Sequence, residues 1–122
     1  MLICIDAGHY IGTPGKRCLK SIDPGETREW TLNRRVADKL EAILAGYDCR
    51  TMRVDDVTGQ RDVTLSQRVA AANRAKADVY LSIHHNAGIN GGSGGGIVAY
   101  VAPSHQRQSE VVRDAVYRYT VA

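Results

Sequence analysis

The clearest pattern in the chain is the alternation of Val79, Leu81 and Ile83 with Tyr80 and Ser82. It predicts a short strand whose carboxyl end emerges at His84, His85 and Asn86. Leu2–Asp6 reads as a first buried strand that ends at Ala7, Gly8 and His9, and Cys49–Val54 as another. The period changes to that of a helix from Glu29 to about Ala45, with Thr27 as N-cap and Gly46 as the stop; Glu29, Asn33, Val36, Ala37, Leu40 and Leu44 share the inward face. Thr64 with Gln67 forms a capping box that opens a helix from Leu65 to about Lys76, with Leu65, Val69, Ala72 and the Lys76 stem on one face. Gly96–Ala102 predicts a further strand, broken by Pro103, and Ser104–Tyr119 a closing helix with Val112, Ala115, Val116 and Tyr119 inward. Gly91–Gly96 reads as a flexible loop, and Asp55–Asp62 as a polar connection.

Alternating strands and helices predict an α/β fold, a three-layer sandwich with a mostly parallel sheet flanked by helices. Right-handed crossovers then bring the carboxyl ends of the first strand and of Val79–Ile83 to one rim. The stretch between His9 and Glu29 carries three glycines and two prolines and reads as a long surface loop, a length that in a compact domain usually serves function. Its GTPGK segment follows a strand but is not a phosphate loop, because Tyr10 stands where the first glycine belongs and Arg17 follows Lys16.

Composition narrows the classes. With 122 residues, 43% hydrophobic and 24% charged, a single folded domain spanning 1–122 is expected. The 16 basic and 13 acidic residues leave +3, scattered without a run, so nucleic acid is not an expected partner. Cys4, Cys18 and Cys49 have no CxxC spacing and read as reduced structural thiols. No apolar run reaches the roughly 20 residues of a membrane span. The amino terminus enters a strand at once, so no signal peptide is expected: the protein would stay in the cytoplasm until lysis or leave by another route, or the chain is an excised domain.

His9, Glu29 and His84 reach one rim by separate arguments. Two imidazoles and a carboxylate, with a fourth position left for water, are the donor set of a catalytic zinc site. Each residue also has an ordinary reading. A strand-end histidine can be a hydrogen-bonded core residue, and a glutamate in a first helical turn can simply complement the helix dipole.

The motifs themselves resemble a family. IDAGH at Ile5–His9, Glu29 with Asn33, Arg53 with Asp55 or Asp56, the run from Leu65 to Ala87 and GIVAY at Gly96–Tyr100 resemble the zinc-dependent N-acetylmuramoyl-L-alanine amidases, peptidoglycan hydrolases of bacteria, spores and phage lysis systems. The resemblance implies one zinc ion held by His9, Glu29 and His84, peptidoglycan as partner, and cleavage of the amide between the muramic acid lactyl group and L-alanine. His84 matches the histidine of S-I-H-x-N. His85 departs from it, as either a substrate contact or an exposed rim histidine, and Asn86 matches the asparagine that would orient site or substrate. Arg68 and Asn73 match as well, in structural roles.

The family's general base, a glutamate in an E-x-G-F-like strand beyond the Tyr100 equivalent, has no match here, because neither Glu26 nor Glu110 occupies that place. The resemblance therefore implies a C-terminally short amidase-like domain lacking the last strand or strands, with no catalytic side chain beyond the zinc ligands and their water. An alternative is an inactive or partner-dependent wall-binding zinc module. Missing strands would leave a sheet edge that a second copy could cover.

Overall fold

The computed structural model describes residues 1–86 and 97–120. The elements run β1 (Leu2–Ala7), α1 (Glu29–Leu44), β2 (Arg50–Arg53), α2 (Leu65–Arg74), β3 (Val79–Ile83), a 3₁₀ turn (Pro103–His105) and α3 (Gln106–Thr120). They fall into two compact units, Met1–Ala87 and Gly88–Ala122.

In the first unit the sheet has the order β2-β1-β3 and both pairings are parallel. β1 is central, and all six of its residues are buried, which is why it reads as a nearly unbroken apolar run rather than an alternation. Its two faces meet different helices. Ile3, Ile5 and Ala7 pack with Trp30 and Ala37 of α1, joined by Leu40, Leu44, Cys49, Val79 and Ile83. Cys4 packs on the opposite face with Val54 and with Ala72 of α2. Helix, sheet and helix make the three expected layers.

α1 starts at Glu29 as the sequence predicts, but its N-cap is Arg28, which offers no side-chain cap, and not Thr27. The Lys16 carbonyl takes the Glu29 amide instead, at 3.1 Å, so the long loop supplies what a capping side chain would have given. Thr27 lies one position too early: its amide donates to Asp23 and its carbonyl accepts from Cys18. The buried stripe is turned towards Trp30, leaving Val36 exposed, contrary to expectation. The indole sits beneath Gly59 (φ +71°), where a Cβ would come within 2.5 Å of the ring. The helix stops as predicted: Ala45 is the C-cap, and the Gly46 amide donates to Ile43.

α2 opens with both halves of the Thr64–Gln67 capping box. Thr64→Ala should cost about 1 kcal/mol, read as a lowered urea midpoint. The helix ends at Arg74, two residues short of the expected Lys76, and the face it buries is Arg68 with Ala72; Leu65 and Val69 are exposed. The reason is electrostatic. Besides Cys4, β1 presents Asp6 to this helix, 2% exposed, and a buried carboxylate requires a cation more than Leu65 requires burial.

The second unit differs more from expectation. Ile97–Ala102 forms no strand, and Ile97, Val98 and Tyr100 are exposed; Gly96 and the glycine-rich loop lie outside the described residues. A strand needs a neighbour to take its backbone hydrogen bonds, and among the described residues none pairs with this segment. The closing helix begins at Gln106 after the 3₁₀ turn. Of its predicted inward residues Val112 is half-buried, whereas Ala115, Val116 and Tyr119 are exposed, since no second layer in this unit is among the described residues. No helix among the described residues is long and apolar enough to cross a membrane.

Candidate metal centre

Pairing of Ala7 with Ile83 sets the ends of β1 and β3 side by side, so that Gly8–His9 and His84–His85 leave the sheet together. The Gly8 amide donates to the Ile83 carbonyl at 3.0 Å, extending the ladder by one bond. At His9 the backbone turns to φ 68°, the left-handed region that histidine enters more readily than bulkier residues do. Arg68 holds the turn: its Nη2 donates to the His9 carbonyl at 2.8 Å and its Nη1 to the Ala7 carbonyl at 3.0 Å, while it pairs with Asp6. Tyr80 and Ser82 hydroxyls donate to the other oxygen of Asp6, at 2.8 and 2.9 Å. Burial, and after it the bond to Asp6, push the Tyr80 hydroxyl well above its ordinary pKa, so it remains a donor.

This framework brings together the three residues singled out in the sequence. One donor atom from each of His9, Glu29 and His84 lies within 4.8 Å of the others. Glu29 Oε1 is 3.3 Å from His9 Nε2 and 3.1 Å from His84 Nδ1, and the two rings stand edge to face with centroids 4.8 Å apart. Glu29 is buried and therefore needs partners. Besides the imidazoles it has the His85 amide at 3.3 Å and, on Oε2, the Lys16 ammonium at 3.8 Å.

Three observations fit a metal. Ligands about 2.0–2.1 Å from a tetrahedral ion stand about 3.3 Å from one another, the separation found between Glu29 and each imidazole. His9 Nε2 is buried and makes no hydrogen bond; the Glu29 oxygen is near enough but not in line. Burial lowers the His9 pKa, outweighing the opposing attraction of Glu29, with His84, Lys16 and Arg68 adding to the decrease, so the ring favours the neutral form that a metal requires.

Gly8 is part of the same arrangement. A Cβ there would lie 2.2–2.6 Å from three atoms of the His84 ring. Gly8→Ala should displace that ring and weaken zinc binding at least about tenfold, the scale of lost ligand orientation, as measured by chelator competition.

Around the three ligands, His85 faces Asn33 and is exposed, and Asn86 is exposed as well. Arg68 is the structural residue expected, and Asn73 is exposed on α2. Arg53 forms two 2.7 Å bonds to Asp55, whose Oδ1 accepts the Ala7 amide at 3.3 Å. Beside the centre a cleft of about 480 Å³ opens between the strand ends and the start of α2, with His9, Thr13, Leu65, Arg68, Ser82 and His84 on its walls. Sequence reasoning missed Gly8 and Lys16; Gly8 was visible only as a glycine next to a predicted ligand. The loop from Tyr10 to Arg28 is tied by a 3.1 Å Arg17–Glu26 ion pair and a one-residue bridge between Arg17 and Arg28.

Comparison with known proteins agrees with this geometry. Among solved structures the chain is similar to an N-acetylmuramoyl-L-alanine amidase from Clostridium difficile 630, at 30% identity and TM-score 0.65 over 78% of this chain and 48% of that one. It is similar to the amidase AmiC2 of Nostoc punctiforme at 28% identity and TM-score 0.61, over 74% and 46%. It also resembles the catalytic domain of the amidase CwlV from Bacillus (Paenibacillus) polymyxa var. colistinus, at 30% identity and TM-score 0.55, over 70% and 45%. The chain thus spans about half the length of these relatives. A search of curated proteins finds no match. Residues 3–121 match the family described as Amidase_3, N-acetylmuramoyl-L-alanine amidase, and the chain belongs to that family.

Proposed function

We propose that this chain carries the zinc-binding half of a peptidoglycan amidase, and that the reaction it serves is hydrolysis of the amide between the muramic acid lactyl group and L-alanine. The observation that carries the reading is the His9–Glu29–His84 cluster with its unpartnered His9 nitrogen, in a chain that matches the family over nearly its whole length. His9 and His84 would hold one zinc ion through neutral nitrogens and Glu29 through its carboxylate. Bound there, zinc supplies the Lewis acidity that polarises an amide carbonyl and acidifies water.

The chain's own groups prepare the site for this. Arg68 keeps the His9 turn in place, Gly8 leaves room for the His84 ring, and Lys16 sets a positive charge 3.8 Å from the Glu29 carboxylate. Asn86 and His85, exposed just beyond β3, would be the residues that meet substrate.

A second reading has its own support. Among the described residues the cluster contains a single carboxylate, and Glu26 is committed to Arg17. A chain without a general base would bind wall glycopeptide and zinc but turn over slowly, since proton transfer contributes about 10² to 10⁴ in rate. Digestion of purified peptidoglycan, with labelling of newly exposed L-alanine amino groups, separates the two. Release above that of His84→Ala is the expected result for the amidase; wall binding with no release would leave the binding module.

A further inference from the structure

The Asn33 side chain is fully buried, and both ends of its amide are engaged. Nδ2 donates to the Gly8 carbonyl at 3.0 Å, and Oδ1 lies 2.7 Å from His85 Nδ1. A backbone carbonyl only accepts, so the Gly8 bond determines which end of the amide faces His85. An amide oxygen also only accepts, so the proton of that contact must sit on His85 Nδ1. In a neutral imidazole the other nitrogen then carries the lone pair.

We propose that Asn33 is a positioning residue that holds His85 in the Nδ1–H form, so that Nε2 of this exposed ring accepts a hydrogen bond from a peptide N–H of ligand bound beside the metal-ligating cluster. The residue is anchored twice: its ring is tied to Asn33, and its backbone amide donates to Glu29 Oε1 at 3.3 Å. Asn33 thereby joins the end of β1, the first turns of α1 and the end of β3 through one buried amide. An acceptor nitrogen selects donors, and a peptide presents one N–H per residue. The choice of a wall peptide as ligand rests on the amidase reading, whereas the tautomer does not.

Long-range ¹H–¹⁵N correlation on the labelled full chain tests the first step, at a pH about two units above the ordinary histidine value of about 6.5. The wild type should show His85 protonated at Nδ1 with an unprotonated Nε2. Asn33→Asp should keep that signature, because a carboxylate also accepts from Nδ1, and Asn33→Leu should replace it with averaged tautomers. A wild-type ring protonated at Nε2, or an unchanged signature in Asn33→Leu, would overturn the proposal.

The second step is read by titrating N-acetylmuramoyl-L-alanyl-D-isoglutamine into the zinc-loaded chain. His85→Phe and His85→Ala should each weaken binding about fivefold, the loss of one hydrogen bond, with zinc content unchanged. Equal affinity in wild type and variants, or no binding to the wild type, would overturn the acceptor role. Failure of the amidase reading looks different: the wild type would bind no zinc while the His85 signature persisted.

Discussion

Arg68→Leu should destabilise the chain by about 3–5 kcal/mol, the cost of leaving one member of a buried ion pair without its partner. Arg68 and Asp6 are 4% and 2% exposed, so solvent cannot take over for the lost guanidinium. The substitution also leaves the carbonyls of Val63, Ala7 and His9 without their donor, and the His9 carbonyl belongs to the turn that carries a candidate zinc ligand. Urea unfolding of the full chain followed by circular dichroism would register the loss as a lower midpoint. The double variant Asp6→Asn with Arg68→Leu should recover at least half of it, because the amide still accepts from Tyr80 or Ser82 while no buried charge remains unpaired. A double variant as unstable as the single one would show that the backbone bonds, and not the charge, dominate.

Glu29→Gln should weaken zinc binding by more than about a hundredfold, since even the loss of a partner outside the coordination shell costs 10- to 100-fold. The shape of the side chain is kept and its amide oxygen can still accept from the His85 amide, while the contact with Lys16 is lost together with the negative charge. Two measurements follow the same linkage. Competition with a chromophoric chelator gives the affinity directly. Thermal unfolding gives it indirectly: zinc at about 100 times its Kd adds about 2.7 kcal/mol, or roughly 10 °C, to a chain of this size. The wild type should show that rise and Glu29→Gln should not. A wild type with no zinc-dependent rise would remove the metal reading of the cluster.

The elements themselves were legible because each has a local cause. β1 announces itself as an apolar run, α2 by its capping box, and β3 by alternation that stops at two histidines. Where the reading failed, a distant partner decided. Leu65 and Val69 have the better hydrophobic period, but Asp6 across the sheet draws Arg68 inward. Val36 gives way to Trp30 because Gly59, far along the chain, leaves space for an indole. Thr27 loses the cap to a carbonyl from Lys16. The strand expected in Ile97–Ala102 has apolar residues in the right places but no paired neighbour among the described residues.

The candidate site divides in the same way. His9, Glu29 and His84 could be named from the chain because strand ends in a parallel sheet share a rim, and because a carboxylate at the head of an inward helical stripe requires a partner. Donor chemistry and order are thus properties of the sequence. Whether Glu29 stands 3.1 and 3.3 Å from the two imidazoles or merely near them is decided by contacts between residues remote in the chain: Ala7 against Ile83, Arg68 on the His9 carbonyl, and the space left by Gly8 for the His84 ring. Local propensity reaches only a few residues along the backbone, whereas metal binding depends on side-chain positions to a fraction of an ångström, and only the packed tertiary structure holds them there.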